Sequence, residues 1–572
     1  MLPRPLLAPA FLFLAGSLAA QATATAGVAA GWPLVDSAIV TEGARGMVVS
    51  GNRIASEVGR DVMARGGNAV DAAVAVGFAL AVVHPEAGNI GGGGFMVIRL
   101  ADGRTLALDY RETAPGRATR TMYVGPDGNP TDRSWTGHLA SGVPGAVAGL
   151  AEAHRRFGKL PWPDLVEPAI ALARDGFPVD EYRNRSIGGD SARLRRFPAS
   201  AAQFLPGGRP PEIGSIWRQP DLATTLAAIR DRGAKGFYAG PVADLIVAEM
   251  RRGGGIITRR DLARYRAIWR EPVSFEYRGH RIYSMPPASS GGVTLALIMN
   301  IMEGFGPLPP FGSPELMHRE AEAMRRAFME RNSSLGDPAF VRNPVARMIS
   351  QAHADARRAE IDPERATPTA SVTAALKDGP STTHYSVVDG DGTAVSTTTT
   401  LNNSYGSAVT VTGGGFLLND EMDDFTTAPG KPNNYGLVQG EANAIKPGKR
   451  MLSAMTPSIV LDPEGRLLMV VGTPGGPTII TQVYHVISNV LDHGMTLPEA
   501  LAAPRLHHQS LPDQIALERD GFAPDVIAHL QAMGHKVAFR SYMGDVEAII
   551  RTGRGWLGAS DPRRGGGGAG LP

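Results

Sequence analysis

Apolar residues fall into two kinds of run along this chain, and the change from one to the other divides it. From Asn52 to Val83 the spacing is helical. Ala, Val and Leu dominate Ala69–Val83, and His84-Pro85 closes the run, so one long helical stretch is predicted over 52–83. The same period predicts helices over 146–157, 163–174, 220–232, 241–251 and 314–331. Phe95–Ile98 and Thr105–Tyr110 flank the turn Ala101-Asp102-Gly103 and predict a β-hairpin. Residues 25–350 thus read as two strands near one end plus many helices. After Thr382 short β-type runs take over, at 383–389, 393–401, 408–411, 415–418, 457–462 and 466–472. Helices follow at 477–493, 497–503 and 523–534, then strands at 537–541, 546–551 and 555–558. The last residues, 565–572, are glycine-rich and read as a flexible tail. No internal repeat is visible.

Composition then narrows the setting. Residues 1–24 have the form of a secretory signal, with Arg4 as a minimal basic region and an apolar stretch from Leu6 to Ala20. Small-x-small sites follow at Ala20-Gln21-Ala22 and Ala22-Thr23-Ala24. The apolar stretch is too short to span a bilayer comfortably, so the chain is expected to be exported, periplasmic or secreted, without a stable membrane anchor. The chain has no cysteine, which excludes thiol catalysis and Cys-based zinc or iron–sulfur sites. A formal net charge of +2 over 572 residues points neither to nucleic acid nor to an anionic membrane surface. Residues 360–381, with Pro363, Pro368 and the turn Lys377-Asp378-Gly379-Pro380, resemble a linker between the two halves.

Candidate chemistry begins where that linker ends. Thr382-Thr383-His384-Tyr385-Ser386 opens a strand, and Asp389-Gly390-Asp391-Gly392 turns it back. Folding about residue 391 sets Thr382 opposite Thr400, with Thr398, Thr400 and Asn402 on one face. A slip of one residue would bring Thr399 there, pointing the other way. A threonine can act as nucleophile with its own α-amine as base once the chain is cut before it. That amine titrates near ~7.7–8.0, close to working pH. β-Propensity alone also explains the run Thr397–Thr400.

Further along, Pro474-Gly475-Gly476-Pro477 joins an apolar strand to a helix. Amides at such a turn are free to hold an oxyanion or a carboxylate, though an ordinary glycine turn reads the same way. Gly91–Gly94 lacks the strand–GxGxxG–helix order of a dinucleotide site. Arg111 ends a strand and carries a fork suited to a carboxylate, or to an ion pair with Glu112. Glu421, Asp423 and Asp424 form an acidic cluster able to hold an ammonium, hold a metal or cap a turn. With no Cys and no HExxH pair, metal is the poorer reading. His507-His508 reads as structural.

Taken together, Val83–Phe95, Asp109-Tyr110-Arg111-Glu112, Met285–Gly292, Thr382–Ser386, Asn419–Phe425, Pro474-Gly475-Gly476 and Gly558–Arg563 resemble the γ-glutamyltransferases (γ-glutamyl transpeptidases) of the N-terminal-nucleophile hydrolase superfamily, in family order and over nearly the whole chain. The resemblance implies an α+β fold, a four-layer αββα sandwich made as an inactive precursor. That precursor cuts itself between Ser381 and Thr382, and fragments 25–381 and 382–572 together form one heterodimeric αββα unit. It implies Thr382 as nucleophile, Thr400 as the residue that orients it, and Gly475 and Gly476 as the oxyanion site. Arg111 and Ser453 would bind the substrate α-carboxylate, Asn402, Glu421 and Asp424 its ammonium, and Tyr435 would belong to a lid. No cofactor or metal is implied. The partners are a γ-glutamyl donor such as glutathione and a water, amino-acid or peptide acceptor.

One departure stands out: where the family reads Ser-Ser, this chain reads Ser453-Ala454. Losing that hydroxyl is expected to weaken γ-glutamyl binding or to shift the chain toward other acyl groups. A cephalosporin or glutaryl acylase-like member of the same family is therefore a second reading. A binding homologue that keeps the pocket but never matures is a third.

Overall fold

The computed structural model of the protein describes residues 27–368 and 382–572. The expected leader at 1–24, most of the expected linker and Ser381 lie outside the described residues. Two seven-stranded sheets carry the architecture. One runs in the order Gly567–Leu571, Gly46–Ser50, Thr383–Val388, Ala394–Thr400, Gly93–Arg99, Thr105–Asp109, Ile268–Arg270. The other runs Ile39–Gly43, Gly555–Ser560, Glu547–Thr552, Leu467–Val471, Ser458–Leu461, His280–Ser284, Val273–Tyr277. Each therefore mixes strands from before and after residue 382.

Side-chain alternation sorts these strands into layers. Val49, Phe95, Val97, Val388 and Ala394 of the first sheet pack with Ile459, Leu467, Val470 and Ile549 of the second, forming the layer between the sheets. Their neighbours Val48, Met96, Ile98, Val387 and Val395 face the other way, onto the helices Arg53–Ala64 and Ala69–Val83. On the far side, Phe275, Ile282, Val460 and Met469 meet the helices Gly291–Glu303, Pro314–Ser334 and Thr478–Leu491. This is the αββα sandwich. Helix Ala69–Val83 is buried along its whole length, as an all-apolar helix must be, and Asn68 with Asp71 caps its start.

Several elements differ from the sequence expectation. The single helical stretch over 52–83 is two helices, parted where Gly66 takes a φ of 96° that no helix interior accepts. The first half contributes more strands than the expected hairpin, at Ile39–Gly43, Gly46–Ser50, Val273–Tyr277 and His280–Ser284 among others. Runs 408–411 and 415–418 are not strands but a loop closed by one bridge between Thr410 and Leu417. Residues 565–572 are not a loose tail. Gly567–Leu571 is a strand antiparallel to Gly46–Ser50, and its glycines let it lie against the second sheet. A Cβ at Gly570 would sit 2.0 Å from the carbonyl oxygen of Glu42. Among the described residues no helix is long and apolar enough to cross a membrane.

Candidate active site

The hairpin Thr383–Val388/Ala394–Thr400 pairs Thr383 with Thr399, His384 with Thr398 and Ser386 with Ser396. This is the register expected from a turn about residue 391. Even-numbered side chains on both strands face the layer between the sheets, where polar groups must find partners. They do so on each other and on the opposite sheet. His384 Nδ1 meets Thr398 Oγ1 at 2.9 Å, Ser386 Oγ donates to the Glu547 carbonyl at 2.9 Å, and Ser396 Oγ donates to the Val471 carbonyl at 3.2 Å. Burial pushes the His384 imidazole down to about 3, so it is neutral at pH 7 and supplies no charge to the site.

At the open end of this face Thr382 Oγ1 lies 2.9 Å from Thr400 Oγ1. The Asn402 backbone N–H donates to Thr400 Oγ1 at 2.8 Å and holds that hydroxyl beside Thr382, free to donate to it or accept from it. Thr382 is buried and has φ 81°, a region a β-branched residue seldom enters. The Asn402 side chain donates from Nδ2 to the Asp420 carbonyl at 3.0 Å, and its backbone carbonyl accepts the Tyr435 hydroxyl at 3.0 Å.

A small cavity opens beside Thr382. Thr400, Asn402, Arg111, Glu421, Asp424, Tyr435, Ser453, Ala454 and Gly476 all line it. These residues are spread over more than 360 positions of sequence, and the fold brings them to one place. Gly475 stands just behind the wall in the same turn, with φ 134°, and Gly476 has φ 58°. Their carbonyls accept amides of the following helix, and neither of their own N–H groups has a partner among the described residues. A Cβ on Gly476 would come within 2.9 Å of the Tyr435 ring, so the turn and the Tyr435 segment close on each other.

Arg111 is fully buried, and its guanidinium pairs with Glu421 at 2.5 Å and with Asp424, while Glu112 lies 3.6 Å away. Burial opposes its charge, but these acids outweigh that and keep it firmly cationic. Arg111 is the cation shared directly by the three carboxyl groups, with Arg331 acting on Asp424 and Arg450 on Glu112. Burial raises Glu112 to about 8 against the pull of Arg111, and it raises Glu421 and Asp424 as well. Asp424 is fixed through its backbone carbonyl, which accepts Gln439 Nε2 at 3.0 Å and Asn443 Nδ2 at 2.6 Å. Ser453 Oγ accepts the Met455 amide at 3.1 Å, so its own proton is free to be donated. Ala454 presents only a methyl group to the cavity.

The arrangement thus combines a hydroxyl poised by a second hydroxyl, a pair of unpaired amides, a guanidinium and several acids. It suits acyl transfer from a substrate bearing both a carboxylate and an ammonium. Of the residues singled out from the sequence, Ser381 alone lies outside the described residues. Arg331 was missed. It enters from the buried helix Pro314–Ser334 and lines the cavity with Leu437, Leu452, Met455, Pro477 and Ile479. That helix also buries Arg325 and Arg326, and the sequence carries no signal for which arginine reaches the site. His507 and His508 sit elsewhere, on Thr481, Gln509 and Asp513.

A family model described as Gamma-glutamyltranspeptidase matches residues 55–571. A glutathione hydrolase proenzyme of Escherichia coli (strain K12) is 46% identical over 530 residues, covering 91% of this chain and 90% of its own length. A glutathione hydrolase proenzyme of Pseudomonas sp. (strain A14) is 47% identical over 535 residues, covering 91% and 93%. Among solved structures, a cephalosporin acylase from Bacillus halodurans superposes with a TM-score of 0.82 at 28% identity, covering 93% of this chain and 97% of that one.

Proposed function

The chain belongs to the gamma-glutamyltranspeptidase family, within the N-terminal-nucleophile hydrolases, and on that premise we propose that it is a self-processing γ-glutamyltransferase and glutathione hydrolase. The observation that carries this reading is the contact between Thr382 Oγ1 and Thr400 Oγ1 at 2.9 Å, beside a cavity that offers both signs of charge.

In the precursor, Thr382 Oγ attacks the Ser381 carbonyl carbon. The C–N bond breaks as the acyl group moves to oxygen, and water hydrolyses the ester to release Ser381 and a free Thr382 amine. The positive φ at Thr382 supports this. That torsion includes the bond to be cut, so strain on the order of 1–3 kcal/mol is relieved by cleavage. In the mature enzyme the amine takes the Oγ proton while Thr400 donates to the same oxygen. Thr382 Oγ adds to the γ-carbonyl, and the oxyanion is held by the Gly475 and Gly476 amides. The leaving amine departs with a proton from the Thr382 ammonium. The γ-glutamyl ester then yields to water or to an acceptor amine.

Arg111 and Ser453 hold the α-carboxylate, and Asn402, Glu421 and Asp424 the ammonium. The substrate's paired charges replace the pairing of Arg111 with Glu421 and Asp424, so the cavity gives up little electrostatic energy on opening. Tyr435 and its neighbours cover the site. Fragments 25–381 and 382–572 remain one heterodimer, since both sheets interleave their strands. The basic residue, apolar stretch and small-x-small sites at 1–24 support export to the periplasm or beyond.

The test is N-terminal sequencing and a γ-glutamyl anilide assay on wild type and Thr382→Ala. Two bands, with Thr382 at the start of the smaller, and turnover are expected for wild type. The variant should stay one inactive chain. A wild type that remains a single band would sink the proposal in favour of a non-maturing binding homologue. A second reading, a cephalosporin or glutaryl acylase-like activity, draws on Ala454 and on the superposition with the cephalosporin acylase. Turnover of glutaryl but not γ-glutamyl anilide would select it.

A further inference from the structure

Arg331 is 1% exposed, and a buried guanidinium is costly unless its five donors are met. Three of them are. Nε donates to Ser290 Oγ at 2.9 Å, and Nη1 donates to Asn332 Oδ1 at 2.8 Å and to Gln439 Oε1 at 3.1 Å. Nη2 has no partner among the described residues, and Arg331 lines the cavity beside Thr382. Arg111, the other cation of that cavity, is ion-paired directly, whereas Asp424 favours the Arg331 charge without a hydrogen bond to it among the described residues. Arg111 is engaged by Glu421 and Asp424, and its Nε donates to the Met451 carbonyl at 3.3 Å. Burial lowers Arg331 to about 10, which leaves it cationic at neutral pH.

The attachments of Arg331 lead to the same wall. Ser290, which accepts from Arg331 Nε, donates its hydroxyl to the Ser453 carbonyl at 2.6 Å and its amide to that carbonyl at 2.8 Å. Gln439 connects to Asn443, whose Oδ1 accepts the Leu452 amide at 3.0 Å. The guanidinium is therefore fixed against the loop segment that carries Ser453 and Ala454, where Ala454 offers only a methyl group.

We infer that Arg331 is a second carboxylate-binding residue of the donor site, offering Nη2 to the α-carboxylate alongside the Ser453 hydroxyl and standing in for the hydroxyl absent at Ala454. The inference rests on the γ-glutamyl reading of the site. It divides the labour between the two arginines. Arg111 organises the acids that take the ammonium and meets the carboxylate from one side, while Arg331 meets it from the other. The ligand class is a carboxylate separated from the scissile carbonyl by three carbons, with or without an ammonium on the carbon next to the carboxylate.

Three small ligands separate the charges: L-glutamine carries both, 5-amino-5-oxopentanoate carries only the carboxylate, and 4-aminobutanamide carries only the ammonium. Their inhibition constants against a γ-glutamyl anilide are to be measured on mature wild type, Arg331→Gln and Arg331→Lys. Arg331→Gln is expected to weaken the two carboxylate-bearing ligands by about tenfold or more and to leave 4-aminobutanamide within about twofold. Arg331→Lys, which keeps the charge but loses the fork, should fall between wild type and Arg331→Gln and provides the comparison if the glutamine variant does not mature. An equal loss on all three ligands would show that Arg331 only braces the wall, and an unchanged set would show that it does nothing for the ligand. Either result overturns the inference while leaving the function standing. A wild type inert toward the anilide overturns the functional reading, and this inference with it.

Discussion

The reactivity proposed for Thr382 draws on two neighbours that cost the protein little. Thr400 is ordinary in a strand, and the Asn402 amide that holds its hydroxyl beside Thr382 lies two residues further along the chain. Ala454 is the residue at which a second hydroxyl was expected from the sequence resemblance. It lines the cavity and is 8% exposed, so a serine there can reach the ligand without displacing the core. A hydrogen bond to a charged group contributes about 1.5–3 kcal/mol. Ala454→Ser is accordingly expected to lower KM for a γ-glutamyl anilide by about tenfold or more with kcat little changed, as steady-state kinetics will show. An unchanged KM would mean that the carboxylate is already fully met without that hydroxyl. Most of these side chains could be named from the sequence because their motifs resemble a known family's; their types alone, a threonine after a linker, a paired glycine turn, an arginine at a strand end, left ordinary structural readings open. Arg331 could not, because burial gives an arginine its meaning and burial is a tertiary property.

At the level of elements, the hairpin was the most legible part. Its turn composition sets the register, and register sets which threonine meets Thr382. The strand Val273–Tyr277 was not anticipated, although Val273, Phe275 and Tyr277 alternate inward along it. Nor was the C-terminal strand. Five glycines and an alanine over 565–570 carry no alternation, and what holds them is close approach to Ser50, Met47 and Glu42, invisible from local composition. Gly567–Leu571 pairs along five positions with Gly46–Ser50, the strand next to the one that follows Thr382, and Ser56 Oγ donates to the Gly567 carbonyl at 2.7 Å. Deleting 567–572 should therefore cost about 3–5 kcal/mol, at about 1 kcal/mol for each lost ladder bond. Calorimetry should find a lower Tm. A tail of no structural consequence would leave it where it was.

For the whole molecule, the two halves are interleaved in both sheets, so the cleavage proposed before Thr382 would sever a connection without separating a domain. Much of the C-terminal half is tied together at Asp561. Its carboxylate accepts Arg505 Nη2 at 2.6 Å and the Val546 amide at 2.9 Å, and it faces Arg563 Nη1 at 3.1 Å. Burial alone would raise its pKa, but the two guanidiniums and the amides prevail and hold it down to about 2. A carboxyl depressed on folding contributes stability that is complete above its unfolded value near ~3.9 and drains away as pH falls through the folded one. The Tm gap between wild type and Asp561→Asn is therefore expected to be widest above pH ~4 and to shrink toward pH ~2, by an amount equivalent to about 2 kcal/mol. A gap that stays constant across that window would remove Asp561 as the source.

The sequence by itself determined the helices of the second half and the hairpin register, because these follow from short-range periodicity and from turn chemistry, while most cavity residues were named through the family resemblance of their motifs. Only the tertiary structure decided that Gly567–Leu571 is a strand, that 52–83 breaks in two, that Arg111 is held by Glu421 and Asp424, and that Arg331 faces Thr382. Each of these depends on which atoms are excluded from water together, and residues hundreds of positions apart acquire that relation only when the sheets close.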